Sequence, residues 1–174
     1  MLARAELSEA ERRIFFAAHR LLPQSAYRLA WGPMQYGTFG AAPALAGVAL
    51  VRGHRRLAAG IALAGTSAWV GAKGIKILVG RERPHRLLHD VRIRGKEEAG
   101  LGFPSGHAAV SAAITTVAVS SLGPAARASA VAMAAYVSWA RMYVGTHLPL
   151  DVAGGASFGL AVGSLANLIL GVDP

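Results

Sequence analysis

The sequence predicts an all-α, polytopic membrane helical bundle: about five transmembrane helices plus an N-terminal interfacial amphipathic helix, in a single domain over residues 1–174. Three observations lead there. The chain is 53% hydrophobic and only 16% charged, whereas a soluble domain carries about 25% charged residues. Its apolar residues gather into five long runs, each near the length that crosses a ~30 Å hydrocarbon core. Its ionisable residues sit mainly between those runs. A soluble helical core protein is the alternative, and it does not explain five runs so poor in charge.

The first element is amphipathic. "ELSEAERRIFFAAHRLLP" (helix expected over 6–22) opens with Ser8 and Glu11 in capping-box spacing. Ile14, Phe15, Ala18, Leu21 and Leu22 recur at helical intervals between Arg12, Arg13 and Arg20. The longest apolar run here is too short and too late for a signal peptide, and a helix lying in the membrane interface fits better. A helix packed on the loop face of the bundle is its rival.

The spans follow at about 33–51, 57–80, 106–122, 127–145 and 149–172. "PMQYGTFGAAPALAGVALV" carries no charge, and "LAAGIALAGTSAWVGAKGIKILVG" is apolar until Lys73 and Lys76. "GHAAVSAAITTVAVSSL" ends at the turn signal "GPAAR", and "ASAVAMAAYVSWARMYV" leads back. In the last run, Gly155, Gly159 and Gly163 share one helical face, which permits close approach of a neighbouring helix.

Composition also excludes functions. The absence of cysteine removes disulfides and thiolate metal sites. The net charge of +9 is carried by loops rather than by a basic stretch interleaved with aromatics. It therefore points to anionic headgroups or phosphorylated lipids, not nucleic acid.

Ionisable residues at span ends are functional candidates, and they form three clusters. "KILVGRERP" contains Lys76, Arg83 and Pro84; "PSGH" contains Ser105, Gly106 and His107; "RMYVGTHLPLD" contains Arg141, His147 and Asp151. With antiparallel spans, all three clusters reach the same membrane face. Lys76, Arg83 and Arg141 form a cationic cradle suited to phosphate. Ser105 and Gly106 begin a helix whose free N–H groups favour an anion. His147 and Asp151, four residues apart, allow the carboxylate to hold one ring nitrogen while the other attacks phosphorus. His107 is then placed to protonate the departing oxygen. The set requires no metal or other cofactor.

These three motifs resemble the signatures of the type 2 phosphatidic acid phosphatase superfamily, which shares its site with vanadium haloperoxidases. The resemblance implies an integral-membrane lipid phosphatase that forms a phosphohistidine without a metal. It assigns His147 as nucleophile, Asp151 as its orienting carboxylate and His107 as general acid. Lys76, Arg83, Ser105, Gly106 and Arg141 would bind the phosphate. Two departures stand out: Ala140 replaces the usual serine before the arginine, and many bacterial members have six spans.

Orientation follows from the basic residues. Arg4, Arg12, Arg13, Arg20, Arg28, Arg81, Arg83, Arg86, Arg92, Arg94 and Lys96 lie on the motif side, against Arg52, Arg55, Arg56 and Arg127 opposite. The positive-inside rule places the motif side in the cytoplasm. Richness in Ala, Gly and Arg suggests a GC-rich bacterium, with the chain in its plasma membrane. The substrate expected from the resemblance is decaprenylphosphoryl-5-phosphoribose, losing its 5-phosphate. Undecaprenyl diphosphate, phosphatidylglycerophosphate and phosphatidate are alternatives. A non-catalytic lipid-binding or transport protein would need the cations but not the trio His107, His147 and Asp151. The remaining 81–104 loop, with His85, His89, Asp90, Glu97 and Glu98, is read equally as a headgroup selector or as solvated surface.

Overall fold

The computed structural model describes residues 7–171. Glu6 and Val172, outermost in two expected helices, and Arg4 of the charge asymmetry lie outside that range. Helices α1 (Glu9–Arg20), α2 (Tyr27–Met34), α3 (Ala41–Val51), α4 (Arg55–Val79), α5 (Pro84–Leu87), α6 (Gly106–Ala118), α7 (Pro124–Tyr143) and α8 (Pro149–Leu170), with three short 3₁₀ turns, account for the regular structure among the described residues.

The centre of the bundle is α6, packed between α4 and α8. Its residues Ala108 to Thr115 are all buried. The glycine face of α8 explains how closely the two helices approach. A Cβ on Gly155, Gly159 or Gly163 would collide with the α6 backbone at the carbonyls of Ser105, Ala109 and Ala113 respectively. Close backbone approach through small residues replaces bulky side-chain packing. On the other side, Ala64 and Ala68 of α4 meet Val110, Ile114 and Val117 in one apolar cluster.

Four expected spans appear as continuous helices, shifted by a few residues; α6 ends in a 3₁₀ turn over Val119–Ser121. The first does not. Residues 33–51 divide between the end of α2, a 3₁₀ turn over Gln35–Gly37, and the 11-residue α3. The break has a packing cause: Gly37 lies so close to the α6 backbone that a Cβ would sit 2.6 Å from the His107 carbonyl oxygen. Hydropathy alone does not register that contact. By length and composition, α8 is the one helix among the described residues long and apolar enough to cross a membrane.

Ser8 caps α1 as expected, accepting the Glu11 N–H at 3.1 Å. Glu11 does not complete the capping box. Its carboxylate instead leaves the helix to meet Arg81 at 2.7 Å and the Leu150 N–H at 3.2 Å. The buried stripe of α1 is Glu11, Phe15, Ala18 and His19, while Ile14 and Leu21 are exposed. The helix therefore lies across the bundle end where α7 and α8 meet.

Candidate active site

Helix ends gather the three sequence clusters at that same end of the bundle. Lys76 comes from the last turn of α4 and Arg83 from the residue capping α5. Ser105 caps α6, with Gly106 and His107 in its first turn. Arg141 lies near the end of α7, His147 in the following loop, and Asp151 in the first turn of α8.

A cavity of about 230 Å³ is lined by Lys76, Arg83, Gly106, His107 and His147, together with Glu98. Phe39, Trp69 and Lys73 form its apolar and cationic rim. Phe39 and Trp69 are in ring contact at 4.6 Å, and the Lys73 ammonium lies 3.6 Å from the Trp69 ring centre. A larger cavity of about 530 Å³ lies between α1 and the 90–94 segment and shares none of these residues.

Each cation is held by the loops around it. Lys76 Nζ donates to the carbonyls of Leu101 and Gly102, both at 2.9 Å. An ammonium has three protons, so one remains. Arg83 donates through Nε to Gly100 O and through Nη1 to Thr146 O. Its Nη2 lies 3.1 Å from Glu98 Oε2. Arg141 Nη2 donates to Glu98 Oε1, while its buried Nε has no hydrogen-bond partner among the described residues.

Ser105 is fully buried, and its Oγ accepts the Ala108 N–H at 3.4 Å. It serves as the N-cap that fixes where α6 begins. The Ser105 N–H donates to the Asp151 carbonyl at 2.8 Å, tying that start to α8.

The i, i+4 spacing brings His147 Nδ1 within 3.6 Å of Asp151 Oδ2, but no hydrogen bond forms. Both carboxylate oxygens are already engaged. Oδ2 accepts the Leu148 N–H at 2.8 Å and Oδ1 accepts from Arg81 at 2.9 Å. The direct hold of Asp151 on the ring, expected from sequence, is thus a near approach. Burial lowers the basicity of His147, and the cations Arg141, Lys76 and Arg83 lower it further, so the ring is neutral well below the usual histidine range.

Three residues of this site do not stand out in the sequence. In sequence Arg81 is one of several loop charges, yet it bridges Asp151 and Glu11. Glu11 stands at a capping-box position, with nothing in the sequence to link it to Arg81. Glu98 belongs to a loop whose sequence fits a headgroup selector and a solvated surface equally, and its carboxylate lies between Arg83 and Arg141. Its neighbour Glu97 is exposed, facing His85 at 3.4 Å. Adjacent acidic residues in one polar loop carry no periodic signal that would separate them.

Comparison with known families gives a match to the family described as the PAP2 superfamily over residues 53–171. The chain belongs to the PAP2 superfamily. The match covers all three polar clusters but not α1, α2 or α3. Two crystal structures extend the likeness to nearly the whole PAP2 chain. Aquifex aeolicus LpxE superposes with a TM-score of 0.85 at 22% identity, covering 93% of this chain and 97% of its own. The first transmembrane PAP2 type phosphatidylglycerolphosphate phosphatase from Bacillus subtilis gives a TM-score of 0.74 at 22% identity, covering 92% and 84% respectively. These likenesses establish a shared PAP2 fold. A comparison with curated protein sequences gives no match.

Proposed function

We propose that this PAP2 protein is an integral-membrane phosphatase that removes phosphate from a lipid through a phosphohistidine. The observation that carries the reading is the cavity itself: Lys76, Arg83, Gly106, His107 and His147 come from distant parts of the chain and line one small space. Placement in the bilayer is supported by large apolar side chains exposed along several helices. They include Val48 and Val51 on α3, Ile77 and Leu78 on α4, Val131 on α7, and Leu165, Leu168 and Ile169 on α8. Exposed apolar area on that scale marks a membrane or partner surface. The bundle is read as membrane-spanning with its first crossing broken at Gly37, and the site faces the cytoplasm of a bacterial plasma membrane.

His147 Nε2 attacks phosphorus, because Nδ1 is the nitrogen turned toward Asp151. The P–N bond forms as the bond to the lipid oxygen breaks, and His107 gives that oxygen its proton. Water then attacks the phosphohistidine, His107 takes up a proton from it, and inorganic phosphate leaves. The cations Lys76, Arg83 and Arg141, with the start of α6 at Ser105 and Gly106, stabilise charge on the phosphoryl oxygens. Asp151 orients the nucleophile.

The specific substrate we favour is decaprenylphosphoryl-5-phosphoribose, with undecaprenyl diphosphate, phosphatidylglycerophosphate and phosphatidate as alternatives. A site that only binds lipid would need no neutral, buried histidine beside a carboxylate. Purified protein incubated with these four lipids should release phosphate from at least one, with or without a chelator. Vanadate should inhibit it, and H147A should fold but release none. Release by H147A would reject the nucleophile, and inactivity of the wild-type protein on every lipid would reject the phosphatase reading.

A further inference from the structure

The cavity already contains an anion of its own. Glu98 is the one acidic residue lining it among the described residues, and each of its oxygens faces a different arginine: Oε1 faces Arg141 Nη2 and Oε2 faces Arg83 Nη2. Both arginines are almost wholly buried. Arg83 has committed Nε and Nη1 to the carbonyls of Gly100 and Thr146. The arm turned to Glu98 is thus the arm left over for a ligand. A carboxylate that spreads two oxygens over two guanidinium groups presents what a phosphate would present there.

We propose that Glu98 is an internal stand-in for the substrate's phosphate, occupying Arg83 and Arg141 while the site is empty and withdrawing when a phosphorylated ligand arrives. The proposal rests on the reading of this cavity as a phosphate site. The chain around Glu98 is bounded by two glycines. It lies between Gly95 and Gly100, both at φ +88°, a backbone region that glycine alone enters freely. Lys96, Glu97 and Ala99 are exposed, and a Cβ at Gly100 would meet nothing within 4 Å. Gly95 is packed on Tyr27, which fixes one end of the segment, and swinging 96–99 outward about it separates Glu97 from His85 as well as the two ion pairs.

The pairs do not release by titration. Burial raises the Glu98 carboxyl, but Arg141 and Arg83 outweigh it and hold the group at about 2. The carboxylate remains charged at any working pH, so a ligand displaces it by competing for the arginines. Such competition disfavours weakly bound anions. The factor is the same for a phosphorylated lipid, but contacts to its tail leave enough affinity for it still to bind.

Calorimetric titration with inorganic phosphate tests this in the full-length protein, independently of turnover. In E98Q, phosphate should bind about tenfold more tightly or better, as expected if the open site is at most roughly a tenth of the population. E98D keeps the charge but is one methylene too short to span both arginines, and it should also bind more tightly. E97Q, one residue away, should match wild type. Unchanged or weaker binding in both Glu98 variants would overturn the proposal. Tightening in E98Q alone, with E98D like wild type, would also overturn it, because charge rather than occupancy would then be responsible. If E98Q does not fold, E98D decides alone. No phosphate heat in any variant also counts against it. Failure of the phosphatase reading is seen separately, as wild-type protein inactive on every lipid.

Discussion

Arg81 donates to Asp151 Oδ1 at 2.9 Å while its other arm donates to Glu11 at 2.7 Å. One guanidinium therefore joins the N-terminal helix to the carboxylate beside His147. Asp151 is fully buried, and Arg81 is its cationic partner. Removing one side of a buried pair costs about 3–5 kcal/mol because a charge is left uncompensated.

R81A should accordingly lower thermal stability and reduce kcat with KM little changed, since Arg81 does not line the cavity that holds His107 and His147. R81K should recover only part of the loss, because an ammonium lacks the planar fork that spans two carboxylates. Steady-state kinetics and melting in detergent check both points. A rise in KM at constant kcat would place Arg81 on the substrate instead.

The α6–α8 contact should tolerate no added atoms. G159A puts a methyl group into the Ala109 carbonyl, and overpacking of this kind costs about 1–3 kcal/mol. G155A meets the Ser105 carbonyl and so disturbs the start of α6 as well. G74A meets nothing within 4 Å and serves as control. We expect lower melting temperatures for G155A and G159A, reduced turnover most clearly for G155A, and no change for G74A.

His147 should remain neutral where an ordinary histidine is half protonated. Burial and the three nearby cations disfavour its charged form, so protonation begins only as pH falls well below 6.5. Imidazole nitrogen chemical shifts of the ligand-free protein, compared with H147A, should show a neutral ring from pH 7 down to about 5.5. A titration midpoint near 6.5 would contradict the enclosed geometry.

Stability should fall on acidification, and His19 should contribute. Its Nδ1–H donates to the Tyr143 carbonyl at 2.9 Å, and Nε2 accepts the Arg92 N–H at 3.3 Å, so the neutral ring is fully used. Burial and then Arg94 lower its protonation range in the folded state. The unfolded chain therefore binds the extra proton first, and stability declines as pH drops below 6.5. His147, also lowered, acts in the same direction. Melting temperature should decrease from pH 7 to pH 5, with a shallower slope in H19Q. An equal slope in H19Q would show that this buried ring is not one of the groups responsible.

Much of this protein is determined locally and was legible in the chain. Four helices follow from apolar runs, the α8 face from the repeat of Gly155, Gly159 and Gly163, and the α1 start from Ser8. The polar cluster was legible too, because helices that alternate in direction return Lys76, His107 and Arg141 to one end whatever their exact packing. Tertiary structure decided the rest. It broke the first run at Gly37, where the backbone passes over His107. It drew Glu11 out of its capping box and set Arg81 between two carboxylates. It also turned Glu98 inward and left Glu97 outside. Periodicity records which face of a helix is apolar. Which loop carboxylate finds a buried arginine depends on where separate helix ends meet, and that relation exists only once the chain is folded.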